Sequence, residues 1–174
     1  YGDMLQDKSD YYSNILQSFT YDGKLYGVPK DVSTLQLVIN TDMWKQAGLT
    51  DADYPQTWDD LENVAAKLTT ADHVGLTMSG EFARIGVFME QAGGGLVSDD
   101  GTKAIADSEG SVAGLTEVQK MLKDDVAKFA DDLNAGWGGE AFGLGKAAMS
   151  IEGNWLTGSM KKDYPNINYK FIPL

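Results

Sequence analysis

Apolar residues along this chain recur at two spacings, and each predicts a different element. Leu35-Gln36-Leu37-Val38-Ile39 is β-branched and nearly continuous in apolar character, which predicts a strand covered on both faces. Val74 to Met78, Ala147-Ala148-Met149-Ser150-Ile151 and Tyr169 to Ile172 predict three more strands. Tyr21-Asp22-Gly23-Lys24 reads as a tight turn, with Leu25-Tyr26-Gly27-Val28-Pro29 as a short strand beyond it and Lys30 to Thr34 as a polar bend.

Helical spacing lies between these runs. Leu5, Tyr12, Ile15, Leu16 and Phe19 are scattered anchors of one surface helix. Thr41-Asp42 can cap a short helix that ends at Gly48. Thr57 can cap the amides near Asp60, and Leu61, Val64, Ala65 and Leu68 then form one apolar stripe. Ile85 to Ala92 predicts a helix stopped by Gly93-Gly94-Gly95. Residues 98–111 form a polar connector, and Val112, Leu115, Val118, Leu122, Val126 and Phe129 recur at helical spacing. Glu140 to Leu144 predicts a short helix, and another should start near Asn154. Strands alternating with helices predict one α/β domain over residues 1–174, with a largely parallel sheet.

Composition narrows the function. The 174 residues are 43% hydrophobic, enough for a folded core, and 26 acidic against 14 basic side chains give a formal charge of −12. Such a surface repels phosphate backbones and anionic lipid, so nucleic acid is not an expected partner. The absence of cysteine removes disulfides, thiolate nucleophiles and Cys-based metal sites, and the single histidine, His73, cannot build an imidazole cage. No cofactor and no metal are expected. No run approaches the ~20 apolar residues of a membrane helix.

Few motifs carry chemistry. The glycines 93–95 close a helix rather than open one, and Gly145-Lys146-Ala147 lacks the hydroxyl of a phosphate loop. The pairs Asp59/Asp60, Asp99/Asp100, Asp124/Asp125 and Asp131/Asp132 read as solvated surface, because neighbouring side chains point apart. Trp44 and Trp58 read as packing residues at helix starts. The tryptophans beside loops differ. Trp137 is flanked by glycines and precedes Glu140, and Trp155 follows Glu152-Gly153-Asn154, where a strand gives way to a helix. Ligands of α/β sheets bind outside the carboxyl ends of strands, and an indole beside carboxylates and amides suits a sugar: ring stacks on ring, and hydroxyls pair with polar groups. Core packing is the alternative for either tryptophan.

Four segments, in order, resemble one family. They are Tyr21 to Leu35 (YDGKLYGVPKDVSTL), Asn40 to Leu49 (NTDMWKQAGL), Pro55 to Leu61 (PQTWDDL) and Phe142 to Trp155 (FGLGKAAMSIEGNW). Together they resemble the extracellular solute-binding proteins of carbohydrate ABC transporters, the maltose-binding-protein-like family 1. The resemblance implies a three-layer lobe of the type II periplasmic-binding-protein fold, with a mostly parallel sheet flanked by helices. It also implies that the chain is the C-terminal lobe of a two-lobed clamp, with termini near the hinge crossovers. Its implied partners are a carbohydrate ligand, the N-terminal lobe of the same parent and ABC permease subunits. The implied location is extracellular or periplasmic, with a parent that a lipid could anchor.

The resemblance also assigns ligand-facing positions. The bend after Pro29 makes Lys30, Asp31 and Ser33 candidates, Ser33 standing where the family carries a glutamate. Trp155 falls on the stacking aromatic of this lobe. Glu81, Phe82 and Arg84 lie where the family places an aromatic and a polar contact at a helix start. Trp137, Glu140, Glu152 and Asn154 join them by proximity to Trp155. No catalytic residue is expected. The competing class is a glycoside hydrolase, which would need two carboxyl groups facing each other across a pocket at a catalytic separation.

Overall fold

The computed structural model describes residues 7–174, and the chain divides into two compact units, one ending at Thr34 and one spanning Leu35–Leu174. In the N-terminal unit, a 3₁₀ turn (Lys8–Asp10) precedes a helix of only five residues, α1 (Ser13–Gln17), none of them buried. The single helix expected across Leu5 to Phe19 is therefore broken; Leu5 lies outside the described residues. Its anchors are too scattered to make a continuous stripe, and Tyr12 is exposed. Strands β1 (Thr20–Tyr21) and β2 (Lys24–Leu25) form the hairpin that the Asp-Gly pair predicts, with φ of 46° at Asp22 and 69° at Gly23. β2 stops well short of Pro29. Phe19 instead lies against Gly27, where an added Cβ would come within 2.8 Å of its ring.

The larger unit is built on five strands in the order β5-β4-β6-β3-β7. These are β3 (Leu35–Asn40), β4 (Val74–Met78), β5 (Ala127–Phe129), β6 (Ala147–Gly153) and β7 (Tyr169–Ile172). β4 pairs in parallel with β5 and β6, whereas β3 runs antiparallel to both β6 and β7. Four strands thus share one direction and β3 alone is reversed, so the sheet is mostly parallel. β4 and β6 are buried along their whole length, and β3 over its last four residues, which is why they read as near-continuous apolar runs.

Helices cover both faces. On one, α3 (Trp58–Leu68), α4 (Phe82–Gln91) and α5 (Glu109–Lys123) pack Leu61, Val64, Leu68, Phe88, Val118 and Met121 against Leu37, Ile39, Leu76 and Met149. On the other, α6 (Gly138–Gly143) and α7 (Leu156–Asp163) bring Phe142, Leu156 and Met160 onto Val38. Thr57 and Asp60 close the expected capping box of α3. α2 (Thr41–Gln46) is capped one residue earlier than expected: the buried Asn40 side chain accepts from the amides of Asp42 and Met43 at 3.0 and 3.1 Å.

The long stripe from Val112 to Phe129 is not one helix. α5 ends at Lys123, Asp125 turns the chain with φ of 56°, and Val126 leads into β5, which contains Phe129. The buried face of α5 is Ser111, Gly114, Val118 and Met121, whereas Val112 and Leu115 are exposed. The reason is close helix packing. A Cβ on Gly114 would lie 2.4 Å from the backbone of Phe88 in α4, so only a hydrogen fits there.

Candidate functional site

The carboxyl ends of β4 and β6 lie side by side, since these strands are parallel with Thr77 opposite Ser150. Each then turns into a helix. β4 leads through Ser79, Gly80 and Glu81 into α4, and β6 leads through Gly153, Asn154 and Trp155 into α7. The N-terminus of α6 meets the same place: the Gly138 amide donates to Ser79 Oγ at 3.1 Å.

Glu152 is the centre of this arrangement. It lies on β6, fully buried, with Oε2 accepting from Arg84 Nη2 at 2.9 Å and from the Trp155 indole N–H at 2.9 Å. Arg84, in the first turn of α4, also binds Glu81 through Nη1 at 2.7 Å, and its guanidinium carbon lies 5.2 Å from the centre of the Trp155 ring. Its side chain is 12% exposed, so both charges of the Arg84–Glu152 pair are out of bulk water. Burial pushes the Glu152 carboxyl above its usual range; the hydrogen bond and charge of Arg84, then the indole N–H, pull it back, and Glu81 adds a smaller upward push.

Two glycines make this packing possible. A Cβ on Gly153 would come within 2.2 Å of the Trp155 ring, and one on Gly138 would lie 2.8 Å from Glu152 Oε1 and 3.0 Å from Ser150 Oγ. Four buried side-chain polar atoms lack a partner among the described residues. Three of them, Arg84 Nε, Ser150 Oγ and Glu152 Oε1, belong to the strand and helix that build this cluster. Trp155 keeps 42% of its surface exposed and Phe82, the first residue of α4, keeps 49%. The result is a half-exposed indole held on a buried ion pair, with a ring and a carboxylate, Phe82 and Glu81, on the adjoining helix turn.

The structure thus links Glu81, Arg84, Glu152 and Trp155 through direct contacts, with Phe82 beside Glu81 in sequence. Asn154 is exposed between Gly153 and Trp155. Trp137 is half-buried and packs with Phe142 and Leu156, its ring against Gly139. The Glu140 carboxylate accepts from the Gly136 amide at 2.6 Å and closes the turn into α6. Lys30, Asp31 and Ser33 lie in the N-terminal unit, exposed, with Lys30 paired to Asp31 at 3.2 Å. Ser79 and Ser150 escaped the sequence reading. Ser150 could have been found: it is two residues before Glu152 on a strand and therefore shares its face.

The larger unit also holds a cavity of about 490 Å³ lined by Leu37, Trp58, Phe88, Gln91 and Leu174 among others, with no charged side chain. It lies between α3 and the end of α4. There the Trp58 indole N–H donates to Gln91 Oε1 at 2.8 Å.

Known proteins resemble this chain in sequence and in fold. A binding protein of Brucella abortus is 27% identical over 93% of this chain and 40% of its own length. The lactose-binding protein of Rhizobium radiobacter is 28% identical over 82% of this chain and 34% of its own length. The solved structure of an ABC substrate-binding protein from Listeria monocytogenes in complex with cycloalternan superposes with a TM-score of 0.84. It is 29% identical, and the match covers 97% of this chain and 44% of that one. The chain thus spans about 40% of the length of the first of these relatives. The family model described as bacterial extracellular solute-binding protein matches residues 2–174, and the chain belongs to that family.

Proposed function

We propose that this chain is a carbohydrate-binding lobe of the substrate-binding component of an ABC importer, acting outside the cytoplasm and without catalysis. The observation that carries the reading is Trp155: a half-exposed indole at the carboxyl end of a buried strand, fixed by Glu152 and Arg84. A pyranose ring stacks on such a face, and Glu81 and Asn154, both exposed beside it, offer acceptors and donors to its hydroxyls. The relatives described above as lactose-binding and in complex with cycloalternan support the same ligand class. The whole protein would add an N-terminal lobe, which closes over the sugar, and permease subunits that receive it.

The carboxylates support binding over hydrolysis. Glu81 and Glu152 hold the same guanidinium, and Glu152 is closed off from solvent, so the two do not flank a space where a glycosidic bond could sit. One lobe offers about half of a clamp, so we expect dissociation constants on the order of millimolar, about −4 kcal/mol. Titration calorimetry of the chain against lactose, maltose and diacetylchitobiose tests this. Binding of at least one sugar, lost in Trp155→Ala, is the expected result. Unchanged binding in Trp155→Ala would remove the stacking assignment.

A further inference from the structure

Resting on that reading, we propose that Arg84 is a positioning residue: it holds the Trp155 indole in its stacking orientation before any ligand arrives and makes no ligand contact itself. Three observations carry this. Arg84 is 12% exposed, and both of its terminal nitrogens already have carboxylate partners, Glu81 at 2.7 Å and Glu152 at 2.9 Å. Its guanidinium carbon lies 5.2 Å from the centre of the indole. The same Glu152 oxygen that accepts from Arg84 also accepts from the indole N–H, so one buried atom couples the cation and the ring. The ring is thus fixed by its N–H, by the cation beside it and by the backbone of Gly153, against which it packs too closely for a Cβ.

This arrangement has a consequence for ligand charge. Two carboxylates already neutralise Arg84, so it offers no counter-ion to an acidic sugar, while Glu81 remains 64% exposed. The platform therefore selects neutral over anionic saccharides. The fixed ring also means that stacking requires no reordering of Trp155 on binding.

The test reads Trp155 directly in the ligand-free chain. Its near-ultraviolet circular dichroism band is the difference between the parent and Trp155→Phe. Arg84→Met alone leaves Glu152 buried without its cation and can prevent folding. The neutral pair Arg84→Met/Glu152→Gln keeps the question open to measurement, and Glu152→Gln alone retains an oxygen acceptor for the indole. We expect the Trp155 band to persist in Glu152→Gln and to vanish in the double variant. Affinity for whichever of lactose and maltose the parent binds should fall about tenfold in the double variant, and glucuronate should not compete in the parent. A double variant that keeps the Trp155 band overturns the proposal, whether or not it binds sugar. If the parent binds neither sugar, the binding reading fails, and the fate of the band alone still decides whether Arg84 orients the ring.

Discussion

The two ends of β4 and β6 carry similar polar groups and handle them differently. At the amino end, Thr69 Oγ1 donates to the Ala65 carbonyl and accepts from the Gly75 amide, each at 2.8 Å. Lys146 Nζ there donates to the carbonyls of Leu133 and Asn134 at 2.6 and 3.2 Å. A cavity of about 480 Å³ opens at this end, but no phenyl, phenol or indole ring lines it. At the carboxyl end, a buried ion pair, three polar atoms without partners among the described residues and an exposed indole come together. The difference teaches that the proposed site is marked by its polar chemistry and its exposed indole rather than by hollow volume. Polar groups at the amino end complete the fold, whereas those at the carboxyl end hold an indole that stays exposed.

Substitutions can break this contrast. The largest effect is expected from Arg84→Met, which strands the Glu152 carboxylate; a loss of about 3–5 kcal/mol should appear in urea unfolding. The matching change at the amino end, Lys146→Met, removes hydrogen bonds to two carbonyls and should cost only about 1–2 kcal/mol by the same assay. Equal losses would mean that the two ends are not energetically distinct. Gly75→Ala puts a Cβ 2.0 Å from the Ala65 carbonyl oxygen, which is backbone and cannot swing away. We expect it to cost about 1–3 kcal/mol, while Gly158→Ala, with open space around it, should stay within ~0.5 kcal/mol of the parent.

Titration gives subtler tests. The Glu152 carboxyl titrates higher in the folded chain than in the unfolded one, chiefly because of burial. Between those two values the folded chain holds the proton and the unfolded chain does not, so stability falls as pH rises through that window. Glu152→Gln should flatten that slope in unfolding curves measured from the ordinary glutamate range upward. Asp100 behaves oppositely and belongs to neither end. Hydrogen bonds from Ser98 and Thr102 hold its carboxyl down to about 2, so its loop loses support only as pH falls from about 3.8 towards that value. The smallest effect expected is faster amide exchange at Thr102 in Asp100→Asn at neutral pH, confined to this loop.

Much of this could be read from residues alone, and the failures have physical causes. Buried strands and the Thr57 capping box were legible because continuous apolar runs and side-chain caps are local signals. The buried face of α5 was not, because it packs through Gly110 and Gly114, and small residues carry no hydrophobic periodicity. At the site, position after a strand singled out Trp155 and Glu152. Nothing local could show that Arg84, 68 residues from Glu152 in sequence, would reach the same carboxylate. For Trp137 the glycine flanks left ligand contact and core packing both open, and its half-buried ring packs with Phe142 and Leu156 beside α6.

The central claim is that sugar meets Trp155, and the indole N–H resonances report on it most directly. Trp44, Trp58 and Trp155 each donate from the indole, to the Thr50 carbonyl, to Gln91 Oε1 and to Glu152 Oε2, so each has its own environment. Proton–nitrogen spectra of the chain titrated with lactose, maltose and diacetylchitobiose should show the Trp155 signal, assigned by its absence in Trp155→Phe, moving with a saturable curve. Trp44 and Trp58 should stay in place. A saturable shift at Trp58 with none at Trp155 would contradict the account and move the ligand to the uncharged cavity beside α3.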